Sequence, residues 1–345
     1  FEEGWNSMGA LALGMVGMVC LSPILAQYIG PAISPFLRSI NADPAIFGSI
    51  LPNDTGGYQL ALSLASDKEA GLYSGLIVSS MLGCTIVFSI PVGLGLIEKK
   101  DQPYFAKGLL IGFITIPIGS FIGGLIAGYN ISMITYNTIP VAAISILVAL
   151  GLRFIPNGMI KGCIIFGKII TGIITIGLVI AAFQSMTGLE IIKGMAPIEE
   201  GLSIVGSIAV VLCGTFPILS LLTRLLEKPL GKVGSKIGLD ATSTAGLIFT
   251  LANSIPVYKM MKDMNSKGKI VNAAWLVPAT AALGDHLGFT AGVYPDAIFP
   301  VVISKIIAGV LAVVLAMLMT RHGTELEDAQ SLQMQQKVDT QPTNS

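Results

Sequence analysis

Four ionisable side chains lie within otherwise apolar parts of the sequence. Asp54 lies in the stretch Leu51-Pro-Asn-Asp-Thr-Gly-Gly-Tyr58, Asp285 and His286 lie in one long apolar segment, and Lys305 lies in the next. A charged side chain at the centre of a membrane helix costs about 2.5–3.5 kcal/mol on insertion scales, so these residues are functional candidates. A carboxylate in such surroundings suits the binding of a cation.

Each of these residues also has a purely structural interpretation. Asp54 either meets a cation or caps the free N–H groups of a half-helix. Asp285 and Lys305 are predicted at similar depths, about 12–13 Å below one surface at 1.5 Å per residue. They therefore either form an ion pair that supports the fold, or leave Asp285 for a substrate or coupling ion. His286 either makes a structural hydrogen bond or relays a proton, which would give transport a pH dependence near neutrality.

Two segments, 44–65 and 241–260, are interrupted near the middle by polar and helix-breaking residues. Asn53 and Asn253 lie in the two interruptions. An Asn amide both donates and accepts hydrogen bonds, which suits a substrate hydroxyl, although Asn is also a common turn residue.

Other residues around the interruptions are candidates for support or gating. Gly56 and Gly57 permit close approach of the backbone, and Pro256 interrupts the second segment. Four aromatic residues recur near both interruptions, where they either pack in the core or offer a ring face to an ammonium group. They are Tyr58, Phe88, Tyr258 and Phe289.

The elements that position these residues are predicted to be membrane helices. The chain is 53% hydrophobic and 12% charged, whereas a soluble domain averages about 25% charged residues. Several apolar runs have the length of about 20 residues that a membrane crossing needs. Eight long segments are predicted as helices: 8–29, 71–97, 105–129, 137–154, 163–184, 202–226, 270–293 and 296–319.

The composition also argues against several classes of function. The net charge is zero and there are two His residues. The sequence contains no glycine-rich nucleotide loop, no plausible catalytic triad and no metal-ligand spacing. We therefore expect no nucleic-acid partner, no cofactor, no metal site and no enzymatic activity.

The distribution of Lys and Arg predicts the topology. Of the 20 basic residues, sixteen lie on one predicted side, three on the other and Lys305 within a helix. An excess of this kind marks the cytoplasmic side, which would also hold the C-terminus. The split requires both interrupted segments to return to the side from which they enter, so they are predicted to be re-entrant.

The sequence repeats weakly at an offset of about 197–201 residues, with the two interrupted segments in register. The predicted fold is an all-α polytopic membrane protein with inverted-topology repeats and two broken, re-entrant segments. Such repeats are typical of secondary transporters, with the site near the membrane midplane. We assign repeat 1 to 1–129, a linking helix to 130–160, repeat 2 to 161–319 and a polar tail to 320–345. The repeat also predicts a further helix upstream of Phe1.

The sequence resembles the ethanolamine-utilisation membrane protein family EutH over nearly all of the chain up to about residue 319. The stretches that carry this resemblance are Phe1-Glu-Glu-Gly4, Met8-Gly-Ala-Leu-Ala-Leu13, Leu72-Tyr-Ser-Gly-Leu-Ile77, Thr85-Ile-Val-Phe-Ser-Ile-Pro91, Glu227-Lys-Pro-Leu230, Thr250-Leu-Ala-Asn253 and Ala282-Leu-Gly-Asp-His-Leu-Gly-Phe289. The resemblance implies a permease for ethanolamine in the bacterial inner membrane.

Ethanolamine has one primary ammonium and one hydroxyl. We expect Asp54 to bind the ammonium, with Asn53 and Asn253 placing the hydroxyl, as the protein alternates its access. A second polar cluster contacts substrate, gates the site or supports the fold: Asp285, His286 and Lys305. Three alternatives stay open, namely an ion-coupled transporter of a small anionic metabolite, a membrane receptor or scaffold for metabolic enzymes, and a channel. A homo-oligomer also stays open.

Overall fold

The computed structural model describes residues 1–52 and 55–320, and within 219–235 it describes the backbone but only some side chains. Asn53, Asp54 and the predicted polar tail beyond Thr320 lie outside the described residues. The described helices are, in chain order, α1 (Glu2–Ser39), α2 (Gly57–Leu64), α3 (Lys68–Leu72), α4 (Cys84–Leu96), α5 (Gln102–Ile126), α6 (Ile131–Phe154), α7 (Pro156–Thr187), α8 (Ile198–Lys236), α9 (Ala241–Ala252), α10 (Ser254–Met260), α11 (Ser266–Ala279), α12 (Asp285–Val293) and α13 (Ile298–Met319).

The prediction of an all-α, multi-pass membrane protein is confirmed. Among the described residues there is no β-strand, and six helices are long and apolar enough to cross a membrane. These six are α1, α5, α6, α7, α13 and the first part of α8, and they match six of the eight predicted apolar segments. Helical structure follows from the apolar sequence, because lipid offers no partner to an unpaired backbone group.

Both predicted interruptions are present. In the first, a 3-10 helix (Pro44–Ile50) ends at an extended residue, Leu51, and α2 begins after Gly56. Gly56 has φ of 94°, a left-handed conformation that favours glycine. In the second, α9 and α10 are separated by Asn253 alone, which is extended. We call residues 51–56 break A and Asn253 break C.

Two segments that were predicted as continuous helices, 71–97 and 270–293, are also broken, so that prediction is wrong. The first continues from α3 as a π-helix (Tyr73–Val78), turns at 79–81, and is helical again at 82–83, directly before α4. The second ends as α11, passes through 280–284 and resumes as α12. We call 79–83 break B and 280–284 break D. Both breaks consist of small, weakly polar or apolar residues, so the hydropathy of each segment stays high.

The elements follow one another in the same order twice. Residues 2–126, the N-terminal unit, and residues 198–319, the C-terminal unit, each contain a long helix, two short helices around a break, two further pieces around a second break, and a closing long helix. Matched elements start 196 to 201 residues apart, as the predicted repeat requires. Helices α6 and α7 connect the units. The opposite orientation of the units, the re-entrant course of the broken segments and the boundaries at 129, 160 and 319 stay predictions.

Within each unit, the two breaks cross each other at close range. A Cβ atom added at Gly83 in break B would meet the carbonyl group of Leu51 in break A. A Cβ atom added at Gly284 in break D would meet the carbonyl oxygen of Ala252, next to break C. Each unit therefore brings its two broken segments together at a glycine.

Backbone hydrogen bonds tie breaks C and D together. The N–H of Ala281 donates to the Thr250 carbonyl at 2.9 Å, and the N–H of Leu283 donates to the Leu251 carbonyl at 2.8 Å. The last carbonyls of a helix lack partners within the helix. Break D thus provides donors for the end of α9, while Ala281 takes a left-handed conformation with φ of 53°.

The two units pack against each other through α5. Gly108 and Gly112 of α5 lie against Ala273 and Val277 of α11, and small residues permit this approach between membrane helices. A buried ion pair adds to the contact, because Lys269 Nζ lies 2.6 Å from the Asp101 carboxylate at the start of α5. The GxxxG pair Gly119 and Gly123 contacts α13 in the same way.

Candidate functional site

A cavity of about 730 Å³ lies where breaks A, C and D come together, beside α4 and α7. Break A contributes Pro52 and Thr55 to the cavity wall, and break C contributes Asn253. The remaining wall residues come from α4, α7, α10, break D and α12: Cys84, Val87, Phe88, Pro91, Val92, Leu94, Gly95, Ile164, Gly167, Lys168, Thr171, Ser254, Ile255, Thr280, Ala281, Asp285 and His286. The predicted meeting of the two interruptions at one site is therefore seen for the described residues.

Gly56 and Gly57 of break A make close contacts but do not border the cavity. The N–H of Gly57 donates to the Pro52 carbonyl at 2.9 Å, and a Cβ atom at Gly56 would meet the side chain of Met18. Asn53 and Asp54 belong to this break but lie outside the described residues. Their predicted contacts with substrate stay predictions, although Pro52 and Thr55 on either side line the cavity.

Asn253 has the structural role of a helix cap. Its Oδ1 accepts a hydrogen bond from the Ile255 N–H at 2.8 Å, which caps the N-terminus of α10. Asn253 is exposed and borders the cavity. Its amide keeps two N–H donors and a second lone pair on Oδ1, and its contact with substrate stays a prediction. Pro256 is exposed one turn into α10 and does not border the cavity.

Asp285 is the first residue of α12 rather than a residue within a continuous helix. A carboxylate is favoured at a helix N-terminus, where backbone N–H groups lack partners. Asp285 borders the cavity. Lys305 Nζ donates to the Ser80 carbonyl in break B at 2.6 Å, and the choice between a supporting ion pair with Lys305 and a substrate or coupling role for Asp285 stays open.

His286 and Lys305 are both buried. His286 borders the cavity, whereas Lys305 does not. The Lys305 ammonium acts electrostatically on the His286 ring, while the His286 Nδ1 atom has no hydrogen-bond partner among the described residues. His286 and Lys305 are therefore close enough to influence each other, while the gating or supporting role predicted for the second polar cluster stays a prediction.

The repeated aromatic residues mostly pack in the core. The rings of Tyr58 and Phe289 contact edge to face with centroids 5.9 Å apart, as do those of Phe105 and Tyr258. Each pair joins one unit to the other. Phe88 borders the cavity, so it is the one of the four predicted aromatic residues with a ring available there.

Several wall residues were not singled out from the sequence. Ser254 and Thr280 add hydroxyl groups, and Lys168 of α7 adds a positive charge at the border of the cavity. The position of Ser254 directly after Asn253 was an available signal. Among the described residues, no three His, Cys, Asp or Glu side chains come together as a metal site would need.

The helices and the cavity define a multi-pass membrane protein in which discontinuous helices border a mostly apolar cavity with a few polar groups, an arrangement typical of transporters. The profile of the family "Ethanolamine utilisation protein, EutH" matches residues 1–319, and the chain belongs to this family.

Curated relatives cover most of the chain. The probable ethanolamine permease EutH of Listeria monocytogenes is 51% identical over 323 residues, which are 93% of this chain and 87% of the relative. The protein of the same name from Salmonella typhimurium is 46% identical and covers 92% of this chain and 84% of the relative. The uncharacterized protein YxeR of Bacillus subtilis is 42% identical, covering 98% and 90%. No solved structure matches.

Proposed function

We propose that this chain is a permease that takes up ethanolamine across the bacterial cytoplasmic membrane, with its C-terminus in the cytoplasm. The observation that carries the proposal is that Asp285 borders the same cavity as Asn253 and Ser254. A primary ammonium needs a carboxylate, and an alcohol needs groups that donate and accept hydrogen bonds. Relatives at 46–51% identity are named probable ethanolamine permeases.

The electrostatics of the breaks favour a cation over an anion. Free helix N-termini bind anions through their unpaired N–H groups. Here the start of α12 carries Asp285, and the start of α10 is capped by the Asn253 side chain. The partial positive charges at the N-termini of α10 and α12 are thus already balanced by protein side chains. This counts against a small anionic metabolite as substrate.

Asp285 and Asp54 are the two carboxylates proposed to bind the ammonium. Asp285 borders the cavity, and the residues on either side of the Asn53–Asp54 pair do so as well. Alternating access would then change which side of the membrane reaches the cavity, by movement of the half-helices that meet at the breaks.

The test is uptake of labelled ethanolamine by the full-length protein in proteoliposomes. Work at about pH 6 keeps nearly all of the amine charged and limits leakage through lipid. Asp285→Asn and Asp54→Asn are compared with Asp296→Asn, which removes an exposed carboxylate. We expect saturable uptake, an approximately 30-fold or larger loss of affinity in the variant that removes the ammonium ligand, and no change in the control.

Each alternative function predicts a different result in this uptake experiment. Competition by organic acids but not by amines would favour an anion transporter, and uptake that does not saturate would favour a channel. No uptake above empty liposomes would favour a receptor or scaffold. Proton and sodium gradients, applied separately, distinguish a facilitator from a symporter, for which Asp285 and His286 are the candidate coupling residues.

A further inference from the structure

Three buried hydroxyl groups lie together next to the cavity, and one of them belongs to a wall residue. The hydroxyls of Ser89 and Ser254 lie beside that of Tyr258, and the three residues are 0%, 1% and 1% exposed. None of the three oxygens makes a hydrogen bond of acceptable geometry to any described residue. We call these residues the hydroxyl cluster.

Other buried serines of this protein, such as Ser120 and Ser145, also lack a partner among the described residues, so the cluster is distinguished by the closeness of its three hydroxyls to one another and to the cavity. Serine and threonine side chains in helices ordinarily donate to a backbone carbonyl three or four residues earlier. Neighbours of the cluster do so: Thr85 donates to the Met81 carbonyl at 2.7 Å, and Ser80 donates to the Ile77 carbonyl at 2.9 Å. A buried hydroxyl without a partner is unfavourable. The cluster therefore has hydrogen-bonding capacity that the described protein does not use.

One member of the cluster borders the cavity and the other two lie behind it. Ser254 is a wall residue, and Ser89 follows the wall residue Phe88 on α4. Tyr258 lies one turn beyond Ser254 on α10, and its ring contacts Phe105 edge to face. Ser254 thus links the cavity, which the Asp285 carboxylate also borders, to the two hydroxyls behind it.

We propose that the hydroxyl cluster binds the alcohol group of an amino-alcohol substrate and thereby selects amino alcohols over alkylamines. The proposal rests on the proposed function, because it concerns the same cavity. Serine and tyrosine hydroxyls both donate and accept, as an alcohol does. A site built to hydrogen-bond a substrate hydroxyl discriminates strongly against an analogue that lacks it, because its own buried groups are then left unpaired.

The test compares ethanolamine with propylamine, in which a methyl group replaces the hydroxyl. Displacement of labelled ethanolamine from the purified full-length protein is measured for wild type, Ser89→Ala, Ser254→Ala and Tyr258→Phe. We expect wild type to bind ethanolamine far more tightly than propylamine. Each variant should lose affinity for ethanolamine by about tenfold, the value of one hydrogen bond, with propylamine affinity little changed.

Ser145→Ala is the matched control. Ser145 of α6 is as buried as Ser254 and its hydroxyl also lacks a partner among the described residues, but it does not border the cavity. The control should bind both amines as wild type does. If one cluster variant fails to fold, the other two still give the ratio of the two affinities.

Two results overturn the proposal in distinguishable ways. If wild type binds ethanolamine but the cluster variants change neither affinity, or lower both affinities equally, the alcohol group binds elsewhere and the proposed function stands. If wild type binds neither amine, the proposed function itself is wrong.

Discussion

The N-terminal and C-terminal units share one order of elements but contribute different chemistry to the cavity. From the C-terminal unit, breaks C and D and the starts of α10 and α12 present amide, hydroxyl, carboxylate and imidazole groups. From the N-terminal unit, the described wall of α4 is mostly apolar, with Val87, Phe88 and Pro91. The repeated arrangement of helices and breaks thus forms the cavity, whereas different side chains at matching positions make the described wall polar on one side and apolar on the other.

The largest expected effect concerns the feature that the two units share most closely, the glycine crossings. Gly83→Ala and Gly284→Ala each place a methyl group against a backbone carbonyl that cannot move as a side chain can. We expect both variants to lose most of the folded protein, measured as the monodisperse fraction in detergent. Gly172→Ala, where nothing lies within 4 Å, is the control. If one of the two variants stays folded while the other does not, the two glycine crossings are not structurally equivalent.

The second effect concerns an ion pair at the start of α5. Asp101→Asn leaves the buried Lys269 ammonium without its carboxylate at 2.6 Å, and breaking one partner of a buried pair costs about 3–5 kcal/mol. The C-terminal unit has Asp296 at the matching start of α13, where it is exposed. Asp296→Asn should leave the thermal midpoint unchanged. A midpoint for Asp101→Asn within error of wild type would mean that the contact between units does not depend on this pair.

The smallest effect concerns the two aromatic pairs that join the units. Phe289→Leu with Tyr58→Leu, and Phe105→Leu with Tyr258→Leu, form two double-mutant cycles. Both pairs have the same centroid distance and nearly perpendicular rings, so each should give a coupling of about 1 kcal/mol. Unequal coupling energies, measured from thermal unfolding, would show that the two contacts between the units contribute differently to stability.

The long helices could be predicted because their signal is simple. A run of apolar residues long enough to cross the membrane has one backbone solution in lipid, and six such helices follow the predicted segments. Breaks A and C were also visible, because Pro52, Gly56 and Asn253 are residues that end helices.

Breaks B and D could not be found in this way. Their residues, such as Ser79, Ser80 and Thr280, are compatible with a membrane helix, and the breaks exist because the crossing segment supplies other partners, as Thr250 and Leu251 do for break D. The site shows the same limit. Equal predicted depth could not decide whether Asp285 and Lys305 form a pair, because depth does not say which way a side chain turns or that Lys305 donates to the Ser80 carbonyl.

The joint between breaks C and D has an evolutionary consequence. It consists of backbone donors and acceptors, from Ala281 to Thr250 and from Leu283 to Leu251, and these atoms are the same whatever the side chains are. Neighbouring wall residues such as Asn253 and Thr280 are therefore free to vary without loosening the joint. A lineage with this scaffold could change the solute it accepts by exchanging a few side chains, while inheriting the geometry of its pocket intact.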